Sequence, residues 1–534
     1  MTSRNPLIDA LQNAQAYPHP TDRIELVETH ISWVLLTGDF AYKIKRPVKL
    51  PFVDFSTPEL RKRYCDDELR LNRRLAPELY LDVVPIGGTP EAPRVGATPA
   101  IEHAVKMVQF PRAQTLDERL DRQEIPLAAV HELAERLAEF HGGLEPTAGA
   151  AADRAALENL GELEADLEPP ARRRLEPIAA WLRQQTAALG NALRQREADG
   201  AIRECHGDLH LGNLAWIEDR IVPFDCLEFD AKLRTIDTLD EIAFLVMDFM
   251  ARGHGDLGFE LLNRYLEVSG DYAGLGLLRY YLVHRALVRS KVRALVGAQD
   301  DGRRGEPRPT PYLDLAARLV GAQTPVLVIT HGLSGSGKTT VTTGLVGRLP
   351  AIRVRSDLER KRLHGFRPGE RSGSGTGGGI YTASASDATY AALAAAAGTA
   401  LGAGLNVIVD AAFLEQKRRR AFAELAEREG AGFAVIDCGA SGAELRERVA
   451  KRHASGSDAS EAGLAVLEHQ LEHSEPIGDD EPGQVISIDT GAQRLEEART
   501  ARTYGGQTDS MLDEAAKRLR ELMQDVEGAN GGRK

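Results

Sequence analysis

Cysteine is scarce, positive charge is in the minority and no apolar run is long enough to cross a bilayer. The four cysteines, Cys65, Cys205, Cys226 and Cys438, lie far apart, with no pair at metal-ligand spacing. A disulfide framework and a zinc ribbon are thereby excluded, and a reducing cytoplasm is the expected setting. Lys plus Arg number 66 against 79 for Asp plus Glu, a formal net charge of −13. Attraction of the whole molecule to nucleic acid or to an anionic membrane therefore lacks support, and no basic stripe with interleaved aromatics is present. Met1 to Pro20 carries no basic start followed by an apolar core, so no secretory signal is expected. The Ala- and Gly-rich run from Ala391 to Leu405 falls short of the roughly 20 apolar residues of a spanning helix and is expected as a closely packed soluble helix.

What is present is ordinary globular composition, 43% hydrophobic and 27% charged, spread over 534 residues. One hydrophobic core seldom grows past about 250–300 residues, so two or three domains are expected. The sharpest change in composition is Gly297 to Pro311, GAQDDGRRGEPRPTP, a linker without apolar periodicity. The expected division is therefore 1–300, a linker with a short helix over 301–323, a second domain over 324–525, and a flexible tail over 526–534. In the first part, strands at Ile31–Leu36 and Phe40–Lys45, a helix from Pro58 to Leu75 and a strand at Ala104–Phe110 precede a mostly helical stretch. A hairpin from Leu214 to Phe224 interrupts that stretch. In the second part strands and helices alternate, which predicts a parallel sheet with crossover helices. Ser372–Gly379 and Ser455–Ser460 are expected as loops, the first of them mobile.

Within the second part, Gly332-Leu333-Ser334-Gly335-Ser336-Gly337-Lys338-Thr339, followed by Thr340, completes a GxxxxGK[ST] pattern directly after the VLVIT strand. The glycines let successive N–H groups turn toward a phosphate, and a helix N-terminus adds its positive end. Lys338 is placed to reach the β- and γ-phosphates and Thr339 to offer a hydroxyl to Mg²⁺. Asp357, in Arg355-Ser356-Asp357 after the next strand, suits a base for an acceptor hydroxyl, with a helix N-cap as the plain alternative. Arg360, three residues on, could hold an anionic substrate group. Asp410 ends the strand NVIVD and suits a Mg²⁺-linked acid, or else a strand-end turn. Arg446, Arg448 and Arg452 recur along one helix, where arginines can neutralise charge spreading over a γ-phosphate or simply form a solvated basic face.

With GLSGSGKTT, RSD, NVIVDAAF and the R-x-R-x-x-x-R helix in that order, Pro325 to about Asp489 resembles the small P-loop kinases of the shikimate, gluconate and zeta-toxin group. These are similar to domains classed with AAA-type ATPases. Unlike oligomeric motors of that class, Asp410 is followed by Ala411 rather than by a second acid. The resemblance implies phosphorylation of a small molecule by ATP.

The first part carries His206-Gly-Asp208-Leu-His210-Leu-Gly-Asn213, with Asp225 beyond a hairpin. Asp208 could orient or deprotonate an acceptor hydroxyl, while Asn213 and Asp225 bind Mg²⁺ on the nucleotide. HGDLHxxN departs from the protein-kinase HRD loop and resembles the aminoglycoside- and choline-kinase branch of that fold. Upstream, Lys43 has the spacing of a strand lysine facing nucleotide, with Lys45 on the same face as the alternative, and Glu68 is its candidate partner. Glu228 is a possible further charge at the metal site. His206 and His210 are expected to pack the loop, and Arg234 with Asp237 to form a buried ion pair beneath it.

The fold class expected is thus α/β and α+β in two domains: a two-lobed, protein-kinase-like domain followed by a P-loop NTPase domain with a parallel sheet. The expected function is an ATP- and Mg²⁺-dependent phosphotransferase acting on a small-molecule hydroxyl from two nucleotide sites. The alternative is one active P-loop kinase with a regulatory or partner-binding pseudokinase before it.

Overall fold

The computed structural model describes residues 5–50, 53–148, 152–167, 169–299, 311–374, 378–455, 462–491 and 510–531. Packing divides the chain into two units. The first comprises 1–125, 143–152 and 196–245, the second 126–142, 153–195 and 246–534. The packing therefore does not break near residue 300, where composition changes most. Helices such as Gly255–Ser269 (α2 below) group with the P-loop sheet instead. The expected linker lies mostly at 300–310, outside the described residues, as do 375–377 and 456–460 of the two expected loops.

The first unit is built on a six-stranded sheet of order β1-β2-β3-β6-β4-β5, with every neighbouring pair antiparallel. Its strands are β1 (Glu25–Glu28), β2 (Ser32–Leu36), β3 (Phe40–Lys45), β4 (Tyr80–Thr89), β5 (Ala92–Val95) and β6 (Ala100–Val108). In β3 the register sets Lys43 opposite Val34 of β2 and Val105 of β6. Helix α1 (Pro58–Asn72) starts at Thr57, whose hydroxyl accepts from Leu60 N–H at 3.3 Å, with Pro58 pre-set for the first turn. The hairpin β7 (Leu214–Ile217) and β8 (Arg220–Pro223) returns the chain from the HGD loop to Asp225.

The second unit holds a five-stranded, wholly parallel sheet of order β10-β11-β9-β12-β13. Its strands are β9 (Val326–His331), β10 (Ala351–Arg355), β11 (Asn406–Asp410), β12 (Gly432–Gly439) and β13 (Gln484–Asp489). Val326, Leu327, Val328 and Ile329 are fully buried, as a central strand covered on both faces requires. Strand β10 lies at the edge, and α2 (Gly255–Ser269) covers it. Asn263 donates to Ala351 O at 2.8 Å and accepts from Arg353 N–H at 2.6 Å, standing in for a neighbouring strand.

The Ala391–Leu405 run falls largely in the helix Ala383–Gly402, which packs Leu393, Ala397 and Ala400 inward. No helix among the described residues is long and apolar enough to cross a membrane. Of the expected tail, residues 526–531 continue a helix, Ser510–Gly531, in which Leu512, Ala515, Ala516 and Leu519 recur at helical spacing and are buried; 532–534 lie outside the described residues.

Candidate functional site

In the first unit, β3, α1 and the segment after β8 bring five charged groups together. Lys43 Nζ lies 2.8 Å from Glu68 and 2.5 Å from Asp225. Lys45, two residues along the same strand face, ion-pairs with the other oxygen of Glu68 and with Glu228. Both lysines thus reach Glu68, but only Lys43 is shown meeting Asp225; Lys45 is fully buried. Burial alone would push Lys43 down, yet Asp225, Glu68 and Glu228 hold it well above the usual lysine value. Burial pushes Glu228 up against the pull of Lys45, its ion-pair partner.

The HGD loop is held from beneath. His206 Nε2 donates to Phe224 O at 2.9 Å, and its Nδ1 accepts from Asp208 N–H at 3.3 Å. Burial pushes its pKa down, so it is neutral and structural. Gly207, at φ 87°, donates its N–H to Glu241 at 2.7 Å. Asn213 Nδ2 donates to the Asp208 carboxylate at 2.9 Å and to its carbonyl at 3.0 Å, which leaves the amide oxygen as its acceptor end. Asp225 takes a left-handed φ of 60°, uncommon for a residue with a side chain, and its N–H donates to Tyr80 Oη at 3.0 Å. Arg234 and Asp237 do not form the expected pair. Arg234 lies 3.1 Å from Glu204, while Asp237 takes a bidentate bond from Arg196 at 2.7 Å. The helix ends at Arg234 and the chain is extended over Thr235–Asp237, so the two side chains no longer share a helical face.

In the second unit, the loop between β9 and α3 (Lys338–Val346) turns through Gly332, Gly335 and Gly337 at φ 145°, 85° and 82°. A Cβ on Gly332 would stand 2.6 Å from Ser336 Oγ and 2.7 Å from Cys438 O. Lys338 Nζ donates to Gly332 O at 2.9 Å and Leu333 O at 2.8 Å, above the loop. Burial lowers its pKa, opposed by the charges of Asp410 and Asp357, while Arg452 adds to the lowering. All four groups therefore act within one electrostatic neighbourhood. Ser334 N–H donates to Gln470 at 2.8 Å, Ser336 O accepts from Thr490 at 2.8 Å, and Thr339 is exposed at the start of α3.

Asp357 is not an N-cap. It lies in the first turn of α4 (Ser356–Leu363), whose N-cap position is Arg355. Asp410, at the end of β11, accepts from the Thr342 hydroxyl at 3.2 Å and lies 3.8 Å from Arg355. Arg360 is buried, bonded to Ile380 O at 3.1 Å and Ser386 at 3.2 Å. Of the three arginines on α5 (Gly442–Ser455), Arg446 is exposed and paired with Glu468, whereas Arg448 donates to Gly335 O at 3.3 Å and Thr490 O at 2.7 Å. Arg452 donates to Ala462 O at 3.0 Å.

Residues 327–477 match the family model described as an AAA domain. Over 473 residues the chain is 30% identical to the uncharacterized proteins Rv2004c of Mycobacterium tuberculosis and Mb2027c of Mycobacterium bovis, covering 84% of this chain and 91% of each relative. The chain belongs to the family of these mycobacterial proteins. Among solved structures, a choline/ethanolamine kinase family protein from Mesorhizobium loti is 13% identical, covering 58% of this chain and 99% of its own at TM-score 0.35. A gluconokinase from Sinorhizobium meliloti 1021 is 23% identical, covering 38% and 98% at TM-score 0.24. The expected mixed α/β chain is present, with an antiparallel six-stranded sheet in the first unit and a P-loop domain on a parallel sheet in the second.

Several contributors were not singled out from sequence. Thr342 and Arg355 flank Asp410, and Tyr80 positions Asp225. Thr342 stands beside Thr343, Arg355 two residues from Arg353 and Tyr80 in a strand of mixed polarity, so spacing alone does not rank them. The donor sets fit Mg²⁺: Thr339 with Asp410 in one unit, Asn213 with Asp225 in the other, all hard oxygen ligands.

Proposed function

We propose that this chain is an ATP- and Mg²⁺-dependent phosphotransferase that acts on a hydroxyl of a small molecule, with a nucleotide site in each unit. The observation that carries the reading is a lysine held at the site in each unit: Lys43 between Glu68 and Asp225 from separate elements, Lys338 on two carbonyls of the glycine-rich loop. The AAA-domain match supports nucleotide binding by the second.

In the first site Asp208, oriented by Asn213, takes the proton of the acceptor hydroxyl as Lys43 steadies the phosphates. In the second, the loop N–H groups and Lys338 hold the phosphates, Asp357 takes the proton, and Arg452 offsets charge developing on the transferred group. Arg446 stays in the proposed set only if it leaves Glu468. Mg²⁺, when bound by the oxygens named above, supplies charge neutralisation on the phosphates. We place the functional domains at 1–300 and 324–525, the helices from Val246 to Gln299 packing with the second, in a cytoplasmic protein without nucleic-acid or membrane partners, in keeping with its net charge of −13.

The test is an ATP-consumption screen against hydroxylated metabolites with the wild type, Asp208→Ala, Lys338→Ala and the double variant. Each single change is expected to abolish one activity and leave ATP binding by the other unit. Acceptor-dependent turnover surviving in the double variant refutes both assignments. A second reading, a regulatory kinase-like unit, draws on the β2–β3 turn, Thr37-Gly38-Asp39, whose single glycine provides no clamp over phosphates. One ATP bound per intact chain, rather than two, would favour it.

A further inference from the structure

Helix α2 reaches the P-loop site through two arginines. Arg353 and Arg355 lie two apart on β10 and so share a face of the sheet. Arg353 Nη2 donates to Glu267 Oε1 at 2.6 Å, and the same guanidinium bonds the Thr343 hydroxyl on α3, the helix that follows the phosphate loop. Arg355 Nη1 lies 3.8 Å from Glu267 Oε1, while its Nε lies 3.8 Å from Asp410 Oδ2. Glu267 is 2% exposed, and its other oxygen accepts from Arg264 at 2.9 Å. Burial alone would raise its pKa, but Arg353 and Arg355 hold it down at about 2, so it is ionised at neutral pH.

Arg355 therefore sits at equal distance between two carboxylates that compete for it. One belongs to α2 and the other is the strand-end acid of the P-loop site. We infer that Glu267 is a positioning residue for that site: by drawing Arg355 toward α2, it keeps the Asp410 carboxylate available to a Mg²⁺-bound nucleotide. The inference rests on the nucleotide-binding reading of the P-loop unit and adds to it a residue that lies far upstream in sequence. Without the Glu267 charge, Arg355 closes on Asp410 and competes with the cation. At these separations a unit change of charge is large enough to shift binding by roughly tenfold.

The test is calorimetry of ATP binding to the full chain, with Mg²⁺ and with EDTA, following the component that Lys338→Ala removes. Glu267→Gln keeps the volume and an acceptor for Arg353. It is expected to weaken the Mg²⁺-dependent component roughly five- to tenfold and to leave binding in EDTA unchanged. Glu267→Gln with Arg355→Gln is expected to restore it, because the competitor is gone. A merely structural role would weaken binding in both conditions and show no restoration, and either that pattern or an unaltered Mg²⁺ dependence overturns the inference. Should Glu267→Gln fail to fold, Arg355→Gln alone decides: tighter Mg²⁺-dependent binding supports the competition, and unchanged or weaker binding refutes it. A wild type with no Lys338-dependent ATP uptake would sink the functional reading and this inference with it. Uptake that ignores Glu267 and Arg355 would sink the inference alone.

Discussion

Replacing Glu68 with leucine removes the carboxylate shared by Lys43 and Lys45. Neither the Glu68 nor the Lys45 side chain has any exposed surface, so water cannot take over the lost charge. Breaking a buried ion pair from one side costs about 3–5 kcal/mol, because the other charge stays buried. Lys43 keeps Asp225 and is partly exposed, so most of the loss falls on Lys45, whose other partner is Glu228. For a unit of this size each kcal/mol shifts the melting temperature by roughly 2–4 °C, which gives a fall of about 6–20 °C. Scanning calorimetry of the full chain reads this in the transition of the first unit. Adding Lys45→Met to Glu68→Leu should recover much of the loss. Burial already pushes Glu228 toward its neutral form, so it tolerates losing Lys45. A single variant that melts within about 2 °C of wild type, or a double variant less stable than the single, would show that the cluster is not charged as described.

Three other outcomes follow from the second unit. Because Glu267 titrates at about 2 in the folded chain against an ordinary 4.5, its stabilisation is complete above pH 4.5 and lost as pH falls toward 2; it amounts to roughly 3 kcal/mol, and urea midpoints of Glu267→Gln should lack that slope. Gly332→Ala forces a Cβ to 2.6 Å from Ser336 Oγ at φ 145°, so it should cost about 1–3 kcal/mol and abolish Lys338-dependent ATP binding, read by thermal melting and calorimetry. A fragment beginning at Pro311 loses Asn263 from the edge strand and Glu267 from Arg353. It should melt lower and aggregate more than one beginning at Val246, as size-exclusion chromatography and melting curves would show.

Much of the second unit was legible because its strands are short β-branched runs bounded by turns, and the phosphate loop is a local pattern. The same locality hid its dependence on α2. Asn263 and Glu267 are two of several polar residues along that helix, with Asp256, Glu260 and Arg264, and only tertiary packing shows that they meet Ala351, Arg353 and Arg355 about 90 residues downstream. Lys43 and Lys45 could not be ranked from sequence, since a period of two puts both on one face. What separates them is Asp225, which lies beyond the HGD loop and is shown only at Lys43. Among the arginines of α5, repetition could not show that Arg446 would pair with Glu468 while Arg448 reached the loop.

The two lysines also begin from different states, and this separates the sites physically. Lys43 is held by two carboxylates, so engaging a phosphate means loosening ion pairs at 2.5 and 2.8 Å. Lys338 is held by two carbonyls of its own loop at 2.9 and 2.8 Å, neutral dipoles that give way to an anion at smaller cost. The Glu68 and Asp225 carboxylates beside Lys43 further disfavour a bare triphosphate, so the cation must accompany the nucleotide there. Binding measured without Mg²⁺ is therefore expected to survive Lys43→Ala and to vanish in Lys338→Ala. The first unit should take up ATP only as Mg²⁺ is added. Equal binding by both units in EDTA would mean that the Lys43 cluster opens without resistance, contrary to the short ion pairs that define it.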